Sequence, residues 1–140
     1  MTYESKKRWL MRYREAVRLE TELSQEIETL KTEATRITPL LSGTPGSSGG
    51  TDKLPRAVER IEEAQQQLQS QIDASQIIRE EIESTINAMS EHEPKEILRR
   101  RYLLGQRWAT IADTMAIDSS WMYRLHKRAV VKLKIPNEKH

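Results

Sequence analysis

The chain contains no cysteine and no phenylalanine. The first absence excludes disulfides, thiolate chemistry and cysteine-ligated zinc or iron–sulfur centres. The second, with only 5% aromatic residues, argues against a thick β core. No apolar run approaches the roughly 18 residues of a membrane span. The first residues pass from Lys6-Lys7-Arg8 into mixed sequence without the apolar stretch of a signal peptide, so a cytoplasmic location is expected. What is present is 36% hydrophobic and 31% charged residues over 140 positions, a balance that suits helices with narrow apolar stripes in one small domain plus an extension.

The net charge of +2 hides an uneven distribution. Residues 1–41 carry 8 basic and 7 acidic groups, 42–90 carry 4 and 8, and 91–140 carry 11 and 6. An acidic middle and a basic C-terminal third predict that the last 50 residues meet a polyanion.

From Trp9 the apolar residues keep steps of four and three through Tyr13, Ala16, Leu23, Ile27, Leu30, Ala34 and Ile37, interrupted at Glu20. This periodicity predicts one helix over about 3–37. Four of the five glycines then fall between Gly43 and Gly50, and residues 42–51 read as a flexible connector. A phosphate-cradling loop would need Gly-Lys-Ser/Thr after a strand, which is absent. Beyond Asp52, a plausible N-cap, a second stripe runs Leu54, Val58, Ile61, Leu68, Ile72, Ile82, Ile86 and Met89. Gln65, Ser75 and Arg79 are polar seam positions, and Ile77 and Ile78 lie beside the gap. Stripes this narrow cannot bury themselves alone, which predicts a long antiparallel helical hairpin, coiled-coil-like, over residues 1–90, with self-association or docking on the remainder.

The pattern changes at residue 93. Pro94 suits a first helical position, Lys95 to Leu104 reads as a helix, and Gly105 suits its C-terminal stop. Trp108, Ile111, Ala112 and Met115 form a second short helical face. The turn Ala116-Ile117-Asp118 leads to a third helix from about Ser119 with the stripe Met122, Leu125, Ala129 and Leu133, limited by Pro136. Two short helices joined by a tight turn, the second basic outside its stripe, describe a helix-turn-helix within a three-helix domain over 91–140. The expected fold class is thus all-α.

With that stripe inward, Ser119, Ser120, Tyr123, Arg124, Lys127 and Arg128 face outward. The N-terminal half of such a helix lies against base edges in the major groove, which makes Ser119, Ser120, Tyr123 and Arg124 the candidate base readers. Arg124 leads, because a guanidinium pairs bidentately with guanine. Lys127, Arg128 and Lys132, with Arg107 on the preceding helix, are candidate phosphate contacts. Trp108 reads as core. Trp121 either covers the stripe edge or meets DNA backbone, and His126 is expected on the recognition-helix surface. The basic cluster Lys6, Lys7, Arg8, Arg12, Arg14 and Arg18 reads as a solvated helix face rather than a second DNA surface.

From Lys95-Glu-Ile-Leu-Arg-Arg-Arg-Tyr102 through Thr110-Ile-Ala-Asp-Thr-Met-Ala-Ile-Asp118 to Met122-Tyr-Arg-Leu-His-Lys-Arg-Ala-Val-Val-Lys-Leu133, the sequence resembles region four of bacterial sigma factors, the helix-turn-helix that reads the −35 promoter element. The whole layout is similar to the ArpU/RinA late transcriptional regulators of phages and prophages of Gram-positive bacteria. The resemblance implies DNA contacts at Ser119, Ser120, Tyr123 and Arg124 and a place in the cytoplasm of a bacterial host. It also implies an altered preference: sigma factors have Arg and Glu at the positions of Ser119 and Ser120 and Gln at that of Arg124. No segment corresponds to the module that melts the −10 region.

His92, His126 and His140 keep no metal-ligand spacing, and no nucleophile elbow or carboxylate constellation is present. The sequence therefore predicts a protein that is not an enzyme, with no cofactor, metal or small-molecule substrate. The expectation is that it binds double-stranded DNA as a transcriptional regulator and assembles as a homo-oligomer, a homodimer being favoured, with host RNA polymerase as a further candidate partner. Two rival readings are a small terminase-like DNA-packaging subunit and an RNA polymerase adaptor with little DNA affinity.

Overall fold

A computed structural model describes residues 1–42 and 53–136, with side chains described for 1–37 and 53–136. The connector expected at 42–51 lies almost wholly outside the described residues. All regular structure among them is helical: α1 (Tyr3–Ser42), α2 (Lys53–Asn87), α3 (His92–Leu98), α4 (Trp108–Met115) and α5 (Ser119–Lys132). A single π-helical turn over Arg99–Leu103 continues α3. None of these helices is long and apolar enough to cross a membrane.

Contacts gather the chain into two compact units. One comprises residues 1–16 with 75–140 and the other residues 17–74. In the latter, Ile27 of α1 and Ala64 of α2 are buried. Leu30 and Ile37 share a groove with Lys53, Arg56, Ala57 and Arg60, and Leu23 shares one with Ser70 and Gln71. The rest of this unit's described apolar side chains stay half-exposed or exposed, as expected of two narrow stripes meeting in a single layer.

The α1 stripe follows the sequence periodicity through Ala16, Leu23, Ile27, Leu30, Ala34 and Ile37. The α2 stripe keeps Leu54, Ile61, Leu68 and Ser75 as expected but is corrected by one residue at the positions between them. Burial steps through Leu54, Ala57, Ile61, Ala64, Leu68, Gln71, Ser75, Ile78 and Ile82, while Val58, Gln65 and Ile72 are exposed. Ala57, Ala64 and Gln71 alternate with Leu54, Ile61 and Leu68, and these small or polar residues carry no apolar signal, so the apolar residues beside them point to the neighbouring row.

The other unit holds two clusters. The larger packs Leu10 of α1 and Ile82 and Ile86 of α2 against Leu98, Tyr102, Leu103, Ala129, Val130, Leu133 and Ile135. The smaller joins Ile97, Ile111, Ala112, Met122 and Leu125, with Trp108, Met115 and Ile117 against it. Pro94 occupies the third position of α3 rather than the first, since the helix begins at His92 after Glu91. The position is tolerated because N–H groups in a first turn have no intrahelical partner.

The π turn closes with the Leu104 amide donating to the Arg99 carbonyl at 3.0 Å and the Gln106 amide to that of Arg100 at 2.9 Å. Gly105 follows at φ +69°, a left-handed backbone that favours glycine, while a Cβ there would only have to displace the end of the Arg14 side chain. The α4–α5 turn is made by Ala116 at φ 54°. The Ala116 amide donates to Asp113 O at 3.2 Å and the Ile117 amide to Ala112 O at 3.0 Å, the Schellman closure of a helix end. Asp118 then caps α5 by accepting the Ser120 amide at 3.1 Å.

A left-handed alanine costs about 1 kcal/mol that glycine does not incur. Ala116→Gly should therefore raise the urea midpoint by the equivalent of about 0.5–1 kcal/mol with an unchanged m-value. An unchanged or lower midpoint would show that the alanine is unstrained.

Candidate nucleic-acid interface

The first thirteen residues of α5 and Leu133 divide cleanly by side. Met122, Leu125, His126, Ala129, Val130 and Leu133 are buried, and Ser119, Ser120, Trp121, Tyr123, Arg124, Lys127, Arg128 and Val131 are exposed. At about 100° per residue, Ser120, Arg124 and Val131 lie at the centre of the outward side. Tyr123 and Lys127 form one flank, and Trp121, Arg128 and Lys132 the other.

All eight candidate DNA contacts are thus exposed, but they differ in what they touch. Arg124 has no hydrogen bond or ion pair among the described residues, and it lines a shallow groove with Trp121, Arg128 and Val131. Tyr123 is 49% exposed although its ring lies 5.4 Å from that of Trp108, so one edge is anchored while the hydroxyl end reaches solvent. Ser119 and Ser120 open the helix beside the Asp118 cap. Arg107 is the residue before α4.

Lys132 is engaged: its ammonium donates to Glu91 Oε1 at 2.9 Å. That hydrogen bond and charge, with a smaller contribution from Arg128, hold the Glu91 carboxyl below the usual carboxylate range. Lys132 and Arg128 line a cleft of about 200 Å³ with Met89, Ser90, Glu91, Pro94 and Lys134. Trp121 is 42% exposed and does not seal the stripe edge, whereas Trp108 is half-buried against the smaller cluster.

His126 overturns the expectation of a surface position. It is 3% exposed, its Nε2 lies 2.8 Å from the Tyr102 hydroxyl, and its ring is 4.8 Å from Trp108 in an edge arrangement. It therefore ties the larger cluster, through Tyr102, to the smaller, through Trp108. A histidine between aromatic neighbours is read as polar from sequence alone, yet one hydrogen bond to the phenol lets it occupy a core position. Burial first, and then the charges of Lys7 and Arg101, push its pKa down to about 4. Burial likewise raises the Tyr102 hydroxyl above its ordinary range.

Sequence reasoning left Tyr3 and Arg101 unassigned and placed Lys7 on a solvated face, yet all three stand beside the Tyr123 flank. Arg101 stacks over Trp108 at 4.5 Å, and Lys7 and Lys127 stand over the Tyr3 ring at 5.1 and 5.7 Å. Tyr3 and Lys7 are more than a hundred positions from Lys127, and only tertiary packing brings them together. Of the basic cluster at 6–18, Lys6 donates to the carbonyls of Val131 and Leu133, each at 2.8 Å. Arg12 pairs with Glu81 at 3.2 Å, Arg14 donates to Leu103 O at 3.2 Å, and Arg18 pairs with Glu22 at 2.9 Å. Part of the supposed solvated face is therefore structural.

Among the described residues no three His, Asp or Glu side chains converge to hold a metal. Compared with family models, with curated proteins and with solved structures, the chain finds no match.

A base held neutral in the fold, with a pKa near 4 against about 6.5 when unfolded, leaves the unfolded state binding more protons between those values. Its contribution is then complete above about pH 6.5 and is lost as pH falls toward 4. His126→Gln should remove this part of the acid sensitivity, giving a smaller drop in urea midpoint from pH 7 to 4.5 than the parent chain shows. An equal drop in both would place the acid-labile groups elsewhere.

Proposed function

We propose that the chain is a sequence-specific duplex DNA-binding protein of the transcriptional-regulator class, in which α4, the Ala116–Asp118 turn and α5 act as a helix-turn-helix. The observation that carries this reading is the uncovered row of Ser120, Tyr123, Arg124, Lys127 and Arg128 on α5 above a stripe that is wholly buried. A helix fits the major groove of B-DNA, and an unpaired guanidinium at the centre of its outward side can take guanine O6 and N7 together. Tyr123, Ser119 and Ser120 complete the base-reading set. Lys127, Arg128 and Arg107 supply counterion-releasing phosphate contacts, and Lys132 joins them once Glu91 yields it.

The resemblance to sigma region four and to the ArpU/RinA regulators supports a phage or prophage role in late-gene activation, carried out in the host cytoplasm. In this reading the long helices form an antiparallel hairpin that pairs two copies. Leu19, Val58 and Ile72, exposed along them, favour such an association, which would set two recognition helices on half-sites about 34 Å or a multiple apart. The polymerase-adaptor reading is favoured by Trp121 and Val131, two apolar side chains exposed on the same helix. It requires polymerase capture without salt-dependent DNA binding. A ring on light scattering would instead favour the packaging subunit.

Selection of bound genomic fragments at defined salt should recover a motif, and Arg124→Ala should cost about 1–3 kcal/mol on that site and relax its base preference. Absence of salt-dependent duplex binding by the parent chain would end the DNA reading. Unchanged affinity and preference in Arg124→Ala would mean that another side of α5 meets the bases.

A further inference from the structure

The basic residues at the head of α1 are spent unevenly. Lys6, Arg12 and Arg14 serve the chain's own packing. Lys7 does not: its ion pair with Glu4 is long, at 3.8 Å, and both side chains are well exposed, a geometry worth little in water. Its ammonium instead stands 5.1 Å from the centroid of the Tyr3 ring, and Lys127 brings a second ammonium from α5 to 5.7 Å from the same centroid. One phenol thus seats a cation from each of two helices.

Next to this pair, Arg101 from the π turn lies over Trp108, whose ring adjoins Tyr123. Tyr123 and Lys127 belong to one flank of the outward side of α5, so that flank runs onto Tyr3 and Lys7 without a break. The positive potential there reaches His126, which feels both Lys7 and Arg101. Like charges gathered on an aromatic seat, with only the distant Glu4 carboxylate paired to one of them among the described residues, are an arrangement that a phosphodiester would neutralise and whose counterions it would release.

We propose that Lys7 and Tyr3 of α1, together with Lys127 and Arg101, form a phosphate clamp on the DNA backbone beside the recognition helix. The clamp rests on the major-groove reading of α5. It gives the head of α1 a place at the duplex, and it makes Lys7 and Lys127 two ends of one backbone contact rather than separate surface charges. Tyr3 positions both ammonium groups and can donate its hydroxyl to the same phosphate.

The test is fluorescence anisotropy of the full chain on a labelled random-sequence 30-base-pair duplex over a series of salt concentrations. Lys7→Gln should reduce the magnitude of the slope of log affinity against log salt by about 0.9 and weaken binding about 5–10-fold near 0.1 M salt. Lys7→Arg should retain both, and Tyr3→Leu, which removes the seat without removing charge, should weaken binding in the same direction. Arg8→Gln lies about 100° round α1 and should change the slope by less than half as much. A parent-like slope in Lys7→Gln, alongside a slope lowered by about 0.9 in Lys127→Gln, would overturn the clamp and leave the DNA reading intact. An equal loss in Arg8→Gln would also overturn it, because a diffuse field of α1 would then explain the effect. No salt-dependent binding by the parent chain would overturn both. Thermal melting of each variant identifies any that fails to fold, and Tyr3→Leu then carries the test in place of Lys7→Gln.

Discussion

The placement of α5 depends on the first three turns of α1. Leu10 is fully buried against Ala129, Val130 and Leu133, and four residues earlier Lys6 sends its ammonium to the carbonyls of Val131 and Leu133. These carbonyls lie at the C-terminal end of α5, where helix geometry leaves acceptors unpaired and the dipole is negative. Desolvating a lysine costs several kcal/mol, and two charge-assisted hydrogen bonds of 2.8 Å are the kind of compensation that makes it tolerable. An apolar residue at position 6 would bury as much surface but leave the carbonyls unsatisfied. The outward side of α5 is consequently fixed by a segment more than a hundred residues away in sequence, and not by the short helices around it alone.

That dependence explains what could be read in advance. The α5 stripe of Met122, Leu125, Ala129 and Leu133 was legible because strong apolar residues recur at helical spacing between polar ones, and the long α1 stripe was legible for the same reason. Leu10 was not, since the step-four-and-three rhythm runs through Trp9 and Tyr13, which stay half-buried, while Leu10 beside them is fully buried. Alternate positions of the α2 row were not legible, because Ala57, Ala64 and Gln71 hold the seam there without a strong apolar side chain. His126 was assigned outward on polarity. The π turn carries no sequence mark at all: Arg-Arg-Arg-Tyr-Leu is equally compatible with an α-helix, and the wider turn follows from where Tyr102 and Leu103 must reach. Of the candidate site, the outward row was legible. Its continuation onto Tyr3, Lys7 and Arg101 was not, because no local pattern links those positions.

His126 also shows why the inner side of α5 is uncharged at neutral pH. Lys7 and Arg101 already stand close to it, and a third positive charge without water would be unfavourable. Keeping the ring neutral lets Nε2 serve the Tyr102 hydroxyl and leaves the aromatic edge to Trp108. The two clusters then act as a single support for the outward row. The same arrangement makes that support acid-labile. In the proposed reading, loss of DNA binding below about pH 5 would arise from the seat of the helix and not from its contacts.

The charge of the C-terminal third must be counted by occupation as well as by residue. Arg99 reaches Glu83 and Asn87, Arg100 is held by Glu96 at 2.8 Å, and Lys132 is held by Glu91. These cations fasten α2, α3 and α5 to one another and have limited freedom to release counterions onto a phosphate. Arg107, Arg124, Lys127 and Arg128 have no ion pair among the described residues, and they lie on or beside the outward side of α5. If DNA binding follows the proposed geometry, its salt dependence reflects this smaller set, extended by Lys7 and Arg101, and not the eleven basic residues that the sequence contains after position 90. Pairing the structural cations internally concentrates the remaining positive charge on one side of one helix, which is the condition for a basic surface to orient a duplex rather than merely attract it.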